Sequence, residues 1–219
     1  MYKIFFKKII DIFLSLIAII LLSPLFIPIC IGLLLTGEHY VFYKQKRVGY
    51  KNKEFYIFKF ATMLKDSPNI GTGIYTAKND PRILPLGGFL RKTKINEFPQ
   101  LINVLFGDMS IIGPRPLLLK TYNLYSKLER NLIGRVKPGI SGVQQIIFRN
   151  EDEMLSNTNI PLDIFYKKNI APYKGKLESW YVKNISLYTD IMLILLTIMV
   201  VINRKNKIVY KIFRDIPNN

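Results

Sequence analysis

The sequence predicts a mixed α/β (α+β) domain seated on membrane-inserted and interfacial helices, and three observations lead there. An apolar stretch over residues 9–35 has Lys3, Lys7 and Lys8 before it and Lys44, Lys46 and Arg47 after it. Two β-rich runs, residues 41–43 and 55–60, flank a turn at Gly49 and Lys51-Asn52-Lys53. Helical periodicity with caps and breakers recurs through the rest of the chain.

Composition sets the partner class. The 219 residues carry 32 Lys and Arg against 15 Asp and Glu, a net charge of +17, so an anionic partner is expected. Yet 49% of residues are hydrophobic. Basic and apolar together point to the cytoplasmic face of a membrane, with lipids as partners and no nucleic acid. A soluble basic nucleic-acid binder is the competing class, and it would lack the apolar N-terminal segment. The one cysteine, Cys30, excludes an intrachain disulfide. The one histidine, His39, has no nucleophile near it in sequence and is expected to be structural or solvated.

The first 36 residues form the membrane segment. The apolar stretch is long enough to span, since roughly 20 residues suffice. Ser23-Pro24 lies in its middle, where Pro removes a helix hydrogen bond and clashes with the preceding turn. Positive charge on both sides keeps both ends cytoplasmic. A re-entrant helix that enters, breaks at Ser23 and Pro24 and returns satisfies both facts.

Residues 64–90 read as loop, with Gly71-Thr72-Gly73 too short to be a nucleotide fingerprint. Asp80-Pro81-Arg82 there is either a plain turn or a substrate contact. Residues 91–116 hold the chemistry. Arg91, Lys92 and Lys94 precede Asn96-Glu97, an apolar helical run follows, and Gly107-Asp108 and Gly113-Pro114-Arg115-Pro116 close the stretch. Asn is a good N-cap, so a helix is expected to start near Asn96, with its N–H groups and the flanking cations favouring phosphate. A capped amphipathic helix without chemistry reads the same way.

Residues 117–134 are expected to be helical, with Tyr122, Tyr125, Leu128 and Leu132 on one face as core or membrane contact. Lys137-Pro138-Gly139 through Gly142, followed by Arg149, mixes cations with Gly and Pro and suits close backbone approach to a phosphate, or an ordinary turn. Glu151-Asp152-Glu153 reads as a solvated acidic run. Residues 185–202 read as an interfacial helix, short for a span, and residues 203–219 as a basic tail with a frayed end.

The stretch at 91–116 also resembles a family. Arg91, Pro99-Gln100-Leu101, Asn103-Val104-Leu105, Gly107-Asp108-Met109-Ser110 and Gly113-Pro114-Arg115-Pro116 are similar to the signature of the bacterial sugar transferases, the monotopic phosphoglycosyl transferases. The resemblance extends to Lys59-Phe60, Lys137-Pro138-Gly139, Arg149 and Glu178, where the family usually has Asp. It implies a re-entrant helix (1–36), a cytoplasmic catalytic domain with interfacial helices (37–202), and a location at the inner membrane. It also implies a UDP-sugar donor, a polyprenyl-linked lipid acceptor, and Mg²⁺ held by Glu97 and Asp108. Lys59, Arg91, Arg115, Lys137, Arg149 and Glu178 become substrate-binding candidates. Glu178 is a sugar or metal contact, or simply a partner for a nearby Lys.

Two positions depart from the pattern. Ala61 stands where the family has Arg, and Asn96 stands where it has its nucleophilic Asp. A carboxamide is neutral and a weak nucleophile. The preferred expectation is therefore direct sugar transfer, with Glu97 as the base on an acceptor hydroxyl and UDP leaving. The alternatives are single-step transfer of the sugar phosphate with UMP leaving, and a non-catalytic scaffold.

Overall fold

A computed structural model describes residues 2–71, 73, 74, 76, 80–156, 160–202 and 208–218. Thr72 and residues 203–207, read above as loop and tail, lie outside the described residues. In chain order the elements are α1 (Lys7–Leu35), β1 (Phe42–Val48), β2 (Glu54–Phe60), α2 (Gly87–Thr93), α3 (Gln100–Leu105), β3 (Ser110–Ile112), α4 (Leu119–Tyr122), α5 (Lys127–Ile133), β4 (Gly139–Ser141), α6 (Val143–Ile147), α7 (Glu151–Ser156), α8 (Leu162–Phe165), α9 (Ala171–Lys183), α10 (Leu187–Ile202) and α11 (Ile208–Ile212). The mixed class expected from sequence is what forms.

Helix α1 is long and apolar enough to cross a membrane. Its helical assignment runs without interruption through Pro24 and Pro28, so the expected break is not a gap in the helix. The chemistry at the proline is visible all the same. Pro24 has no N–H for the Ile20 carbonyl, and the Ser23 hydroxyl donates to that carbonyl instead, at 2.8 Å.

The helix touches the domain at both ends. Near its start, Asp11 accepts from the Ser110 hydroxyl and the Ile111 N–H, and Lys7 pairs with Asp190 at 2.6 Å. Towards its end, Ile29 and Leu33 pack with Phe60 and Leu90. Between them α1 lies against α3. The outward side of α1 exposes Ile12, Phe13, Leu16, Ile20, Leu21 and Ile27, and α10 exposes Tyr188, Ile191, Leu195 and Ile198 while burying Leu193, Leu196 and Val200.

Strands β1 and β2 form an antiparallel hairpin, longer in its first strand than the sequence suggested. Its turn uses Lys51 and Asn52 at positive φ, which fits Asn better than Lys. The main core gathers α5, α6, α9 and α10 around Leu177, Trp180, Tyr181 and Leu193. The segment read as one helix over 117–134 is two, α4 and α5, because Ser126 caps the second with a capping box to Glu129. Tyr122 and Tyr125 are core, but Leu128 is 82% exposed.

Residues 208–218, the described part of the expected frayed tail, pack against the domain. Val209, Phe213 and Ile216 are buried, Phe213 packs edge-on against Trp180, and the Trp180 indole donates to Asp215 at 2.8 Å. Asp80 and Arg82 are also buried, paired with each other, with Arg82 donating to the Ser67, Ile70 and Gly73 carbonyls. That is the plain structural role of the two open at sequence level.

Candidate active site

The site is built where the hairpin, the turn before α3 and the Gly113–Pro116 turn meet. Opposed residues of an antiparallel pair share a face, so the register Tyr43↔Lys59, Gln45↔Ile57 and Arg47↔Phe55 puts Arg47, Ile57 and Lys59 on one side. Asn103 fixes α3 to that hairpin. Its carboxamide donates to the Tyr56 carbonyl at 2.8 Å and accepts the Phe58 N–H at 3.0 Å, as a neighbouring strand would.

The turn carrying Asn96 and Glu97 differs from expectation. Lys94 sits in the left-handed region (φ 65°) and ends α2, residues Ile95–Glu97 make a 3-10 turn, and α3 starts only at Gln100. Asn96 therefore caps nothing, and no α-helix N-terminus presents its N–H groups there. Asn96 is 6% exposed, and its Oδ1 is buried with no hydrogen-bond partner among the described residues.

Gly113-Pro114-Arg115-Pro116 is held against β4. Gly113 donates to the Ser141 carbonyl at 2.9 Å, and a Cβ there would lie 2.7 Å from the Lys137 carbonyl oxygen, so only glycine allows the approach.

These pieces enclose a small cleft lined by Arg47, Ile57, Lys59, Glu97, Gln100, Arg115, Pro116, Gly139 and Ile140. Glu97 lies 3.6 Å from the Lys59 ammonium and 3.9 Å from the Arg115 guanidinium. Burial opposes its charge, but Lys59, Arg115, Lys94 and Arg91 outweigh that and hold it well below the usual carboxylate range. Burial pushes Lys59 down to about 7, Glu97 pulling it up and Arg47, Arg115 and Arg91 pushing it down. Burial, then Arg115, lowers Arg47 to about 10. The cleft thus has more buried positive charge than Glu97 can neutralise, which suits an anionic guest.

The candidates divide. Lys59 and Arg115 meet at Glu97, and Arg91 and Lys94 act on it by charge. Arg91 itself donates to the Thr76 hydroxyl at 2.9 Å, and Arg149 to the Lys92 carbonyl at 3.3 Å, outside the cleft lining. Lys137 lies apart: the charges acting on it are Lys8, Asp11 and Asp108. Glu178 is behind Arg115, accepting its backbone N–H at 2.8 Å. Glu151, read as solvated, pairs with buried Lys174 at 2.6 Å. Ala61 is buried beside Phe60 and brings no charge.

Arg47 is the residue sequence reasoning missed. It is not among the site candidates named from sequence, although it donates to the Pro116 carbonyl at 3.3 Å and to the Gln45 side chain. The hairpin register, deducible from the turn, was the signal that places it opposite Phe55 and on the face of Lys59.

Among the described residues no group of three or more His, Cys, Asp or Glu side chains could hold a metal ion. Asp108 does not line the cleft, and it acts by charge on Lys137. Glu97 alone fits the kind of Mg²⁺ that takes one carboxylate and completes its shell with water and substrate phosphates.

Aromatic contacts tie this region to α1. Lys59 and Glu97 are each followed by a phenylalanine, and the rings of Phe60 and Phe98 both meet Phe26 of α1, with centroids 5.6 and 6.4 Å away.

Comparison with known proteins gives the site a context. The model of a family described as bacterial sugar transferase matches residues 2–204. A UDP-glucose:undecaprenyl-phosphate glucose-1-phosphate transferase of Xanthomonas campestris pv. campestris is 38% identical over 208 residues, 93% of this chain and 40% of that protein. An undecaprenyl-phosphate galactose phosphotransferase of Salmonella typhimurium is 33% identical over 214 residues, 91% of this chain and 41% of its own length. The exopolysaccharide production protein ExoY of Sinorhizobium fredii is 29% identical over 206 residues, 88% of this chain and 83% of that protein. The chain spans about two fifths of the length of the first two relatives.

Proposed function

The chain belongs to the bacterial sugar transferase family, and from that premise we propose that it moves a sugar phosphate from a UDP-sugar to polyprenyl phosphate in surface-glycan assembly. The observation that carries this is the cleft in which Lys59, Arg115 and Arg47 surround the single carboxylate of Glu97. The names of the relatives, which describe transfer of glucose 1-phosphate and galactose phosphate with undecaprenyl phosphate, support it. They fit this reaction better than the sugar transfer with UDP release preferred from sequence.

The chemistry is a single displacement. An oxygen of the acceptor phosphate attacks the β-phosphorus of the donor. The bond from that phosphorus to the oxygen bridging the α-phosphate breaks, and UMP leaves. The acceptor is already ionised and needs no base. Asn96, a neutral amide beside Glu97, neither attacks first nor repels the incoming phosphate. Glu97 is ill suited to the base role expected from sequence, since a carboxylate held so far down in acidity takes a proton poorly near neutral pH. Its work is to hold Lys59 and Arg115 in register, and it is the carboxylate that would hold Mg²⁺, which supplies neutralisation of the donor's phosphates. Lys59, Arg115 and Arg47 stabilise the charge on the departing nucleotide.

The lipid reaches the cleft from α1. We assign the exposed faces of α1 and α10 to the bilayer and the catalytic domain to the cytoplasmic face of the inner membrane. Both ends of α1 are tied to the domain, which supports a helix that enters the membrane without crossing it. Phe26 and Phe98 link this apolar surface to the charged cleft.

A second reading rests on Asn96 itself. Loss of a nucleophile with a carboxylate kept next to it also suits direct sugar transfer to a lipid-linked hydroxyl, with UDP leaving. Purified protein in detergent, given UDP-sugars and lipid acceptors, decides by the nucleotide it releases. UMP is expected; UDP would establish the second reading, and neither across a broad panel would leave a scaffold.

A further inference from the structure

Glu178, on α9, is a buried acid that the reaction above does not use. It is 1% exposed and does not line the cleft. Its Oε1 accepts the Arg115 N–H at 2.8 Å, and its Oε2 is buried with no hydrogen-bond partner among the described residues. The cations that act on it are Arg115 and Lys174, and both are directed elsewhere. The Arg115 guanidinium faces Glu97, and the Lys174 ammonium lies 2.6 Å from Glu151 and 3.2 Å from the Tyr166 hydroxyl. The nearby Tyr125 hydroxyl donates to Gln144 at 3.3 Å. An ionised carboxyl here would leave charge on a buried oxygen that has no donor among the described residues, a heavy desolvation cost, whereas a protonated one carries no charge there.

The contact it makes is set by the sequence of the turn. Pro114 and Pro116 have no N–H, so in Pro114-Arg115-Pro116 the Arg115 N–H is the only backbone donor. Glu178 takes it. The other polar ties of the turn run to the hairpin and to β4: Pro116 accepts from Arg47 and Pro114 accepts from Gly139.

We propose that Glu178 is a positioning residue: as a neutral acid it holds the Arg115 backbone so that the guanidinium meets Glu97 and the anionic group of the substrate. The identity of that group as a donor diphosphate rests on the function proposed above. Burial pushes Glu178 up to about 8, against the opposing pull of the Arg115 N–H, the Arg115 guanidinium and Lys174. The sign follows for stability. In the unfolded chain the acid ionises near 4.5 and in the fold near 8, so its contribution is whole below about 4.5 and is lost as pH rises through 8. Above 8 the new charge beneath Arg115 also competes for the guanidinium.

The test compares full-length wild type, Glu178→Gln and Glu178→Leu in detergent, by unfolding temperature and by affinity for UDP, each from pH 5 to 9. Gln keeps the acceptor for Arg115 N–H and cannot ionise. It is expected to bind UDP within about twofold of wild type at pH 7. Between pH 7 and 9 wild type should lose about fivefold or more in UDP affinity beyond the loss that Glu178→Gln shares through Lys59, and wild type should lose unfolding temperature over pH 5–9 relative to Glu178→Gln. Glu178→Leu, which orphans the N–H, should bind UDP about tenfold or more weakly at every pH. Wild type and Glu178→Gln with the same pH dependence of stability would overturn the proposal, as would Glu178→Gln binding as poorly as Glu178→Leu at pH 7. If Glu178→Leu does not fold, the wild-type and Gln pair still decides. If no form binds UDP, the proposed function falls, while the stability profiles still judge the protonation of Glu178.

Discussion

Two charged regions of this molecule are built to opposite ends. At the start of α1, Asp190 receives Lys7 at 2.6 Å, the Tyr2 hydroxyl at 2.6 Å and the Tyr181 hydroxyl at 2.7 Å, while Asp11 receives Ser110 and Ile111. Each acid there has donors at contact distance. In the cleft, Glu97 has its cations at 3.6 and 3.9 Å, Lys59 is driven towards neutrality, and the Asn96 oxygen has no hydrogen-bond partner among the described residues. The first region is satisfied and therefore an anchor. The second is left short of negative charge and of hydrogen bonds, which is what a site does when its guest supplies both.

The contrast can be broken at either end. The largest effect is expected in the anchor. Asp190→Leu strips Lys7 and two tyrosines of their acceptor and should cost about 3–5 kcal/mol of stability, read by unfolding in detergent. In the cleft the outcome should be reversed. Arg115→Ala should lower turnover roughly 10²–10³-fold with little change in unfolding temperature. Equal loss of stability at both places would erase the distinction.

Between them stands the joint that carries Glu97 to the hairpin. Asn103→Leu leaves the Phe58 N–H and the Tyr56 carbonyl unanswered and should cost about 1–3 kcal/mol, with turnover falling as the cleft loosens. The smallest effect is one of protons. Lys59 is charged below about 7 in the fold and up to about 10.5 in the unfolded chain, so the folded state gains stability as pH rises through that window. A bound diphosphate favours the charged amine. UDP binding at pH 8 should take up a fraction of a proton, seen by calorimetry in buffers of different ionisation enthalpy, and Lys59→Met should reduce the uptake to the share that belongs to Glu178.

Much of the cleft was legible before any coordinates. Glu97, Arg115 and Lys59 are far apart in sequence, yet their motifs named them, and the hairpin around Gly49 was readable from its turn. The failures were tertiary. A left-handed Lys94 and Pro99 delay α3 to Gln100, which local capping preference at Asn96 does not foresee. Lys137 is a motif residue, but besides Asp108 the charges acting on it are Lys8 and Asp11 at the foot of α1, a neighbour no local pattern reveals. Charge runs misled twice, since Glu151 is claimed by Lys174 and Arg47 by the cleft. The terminal tail looked polar because its apolar residues, Val209, Phe213 and Ile216, are spaced among charges, and only the packing on Trp180 shows why they matter.

The most direct test of the reaction follows one atom. A UDP-sugar labelled at the β-phosphorus, incubated with the protein and polyprenyl phosphate, should pass its label to the lipid fraction along with the sugar. Label that stays with the nucleotide while sugar appears on lipid would contradict the account.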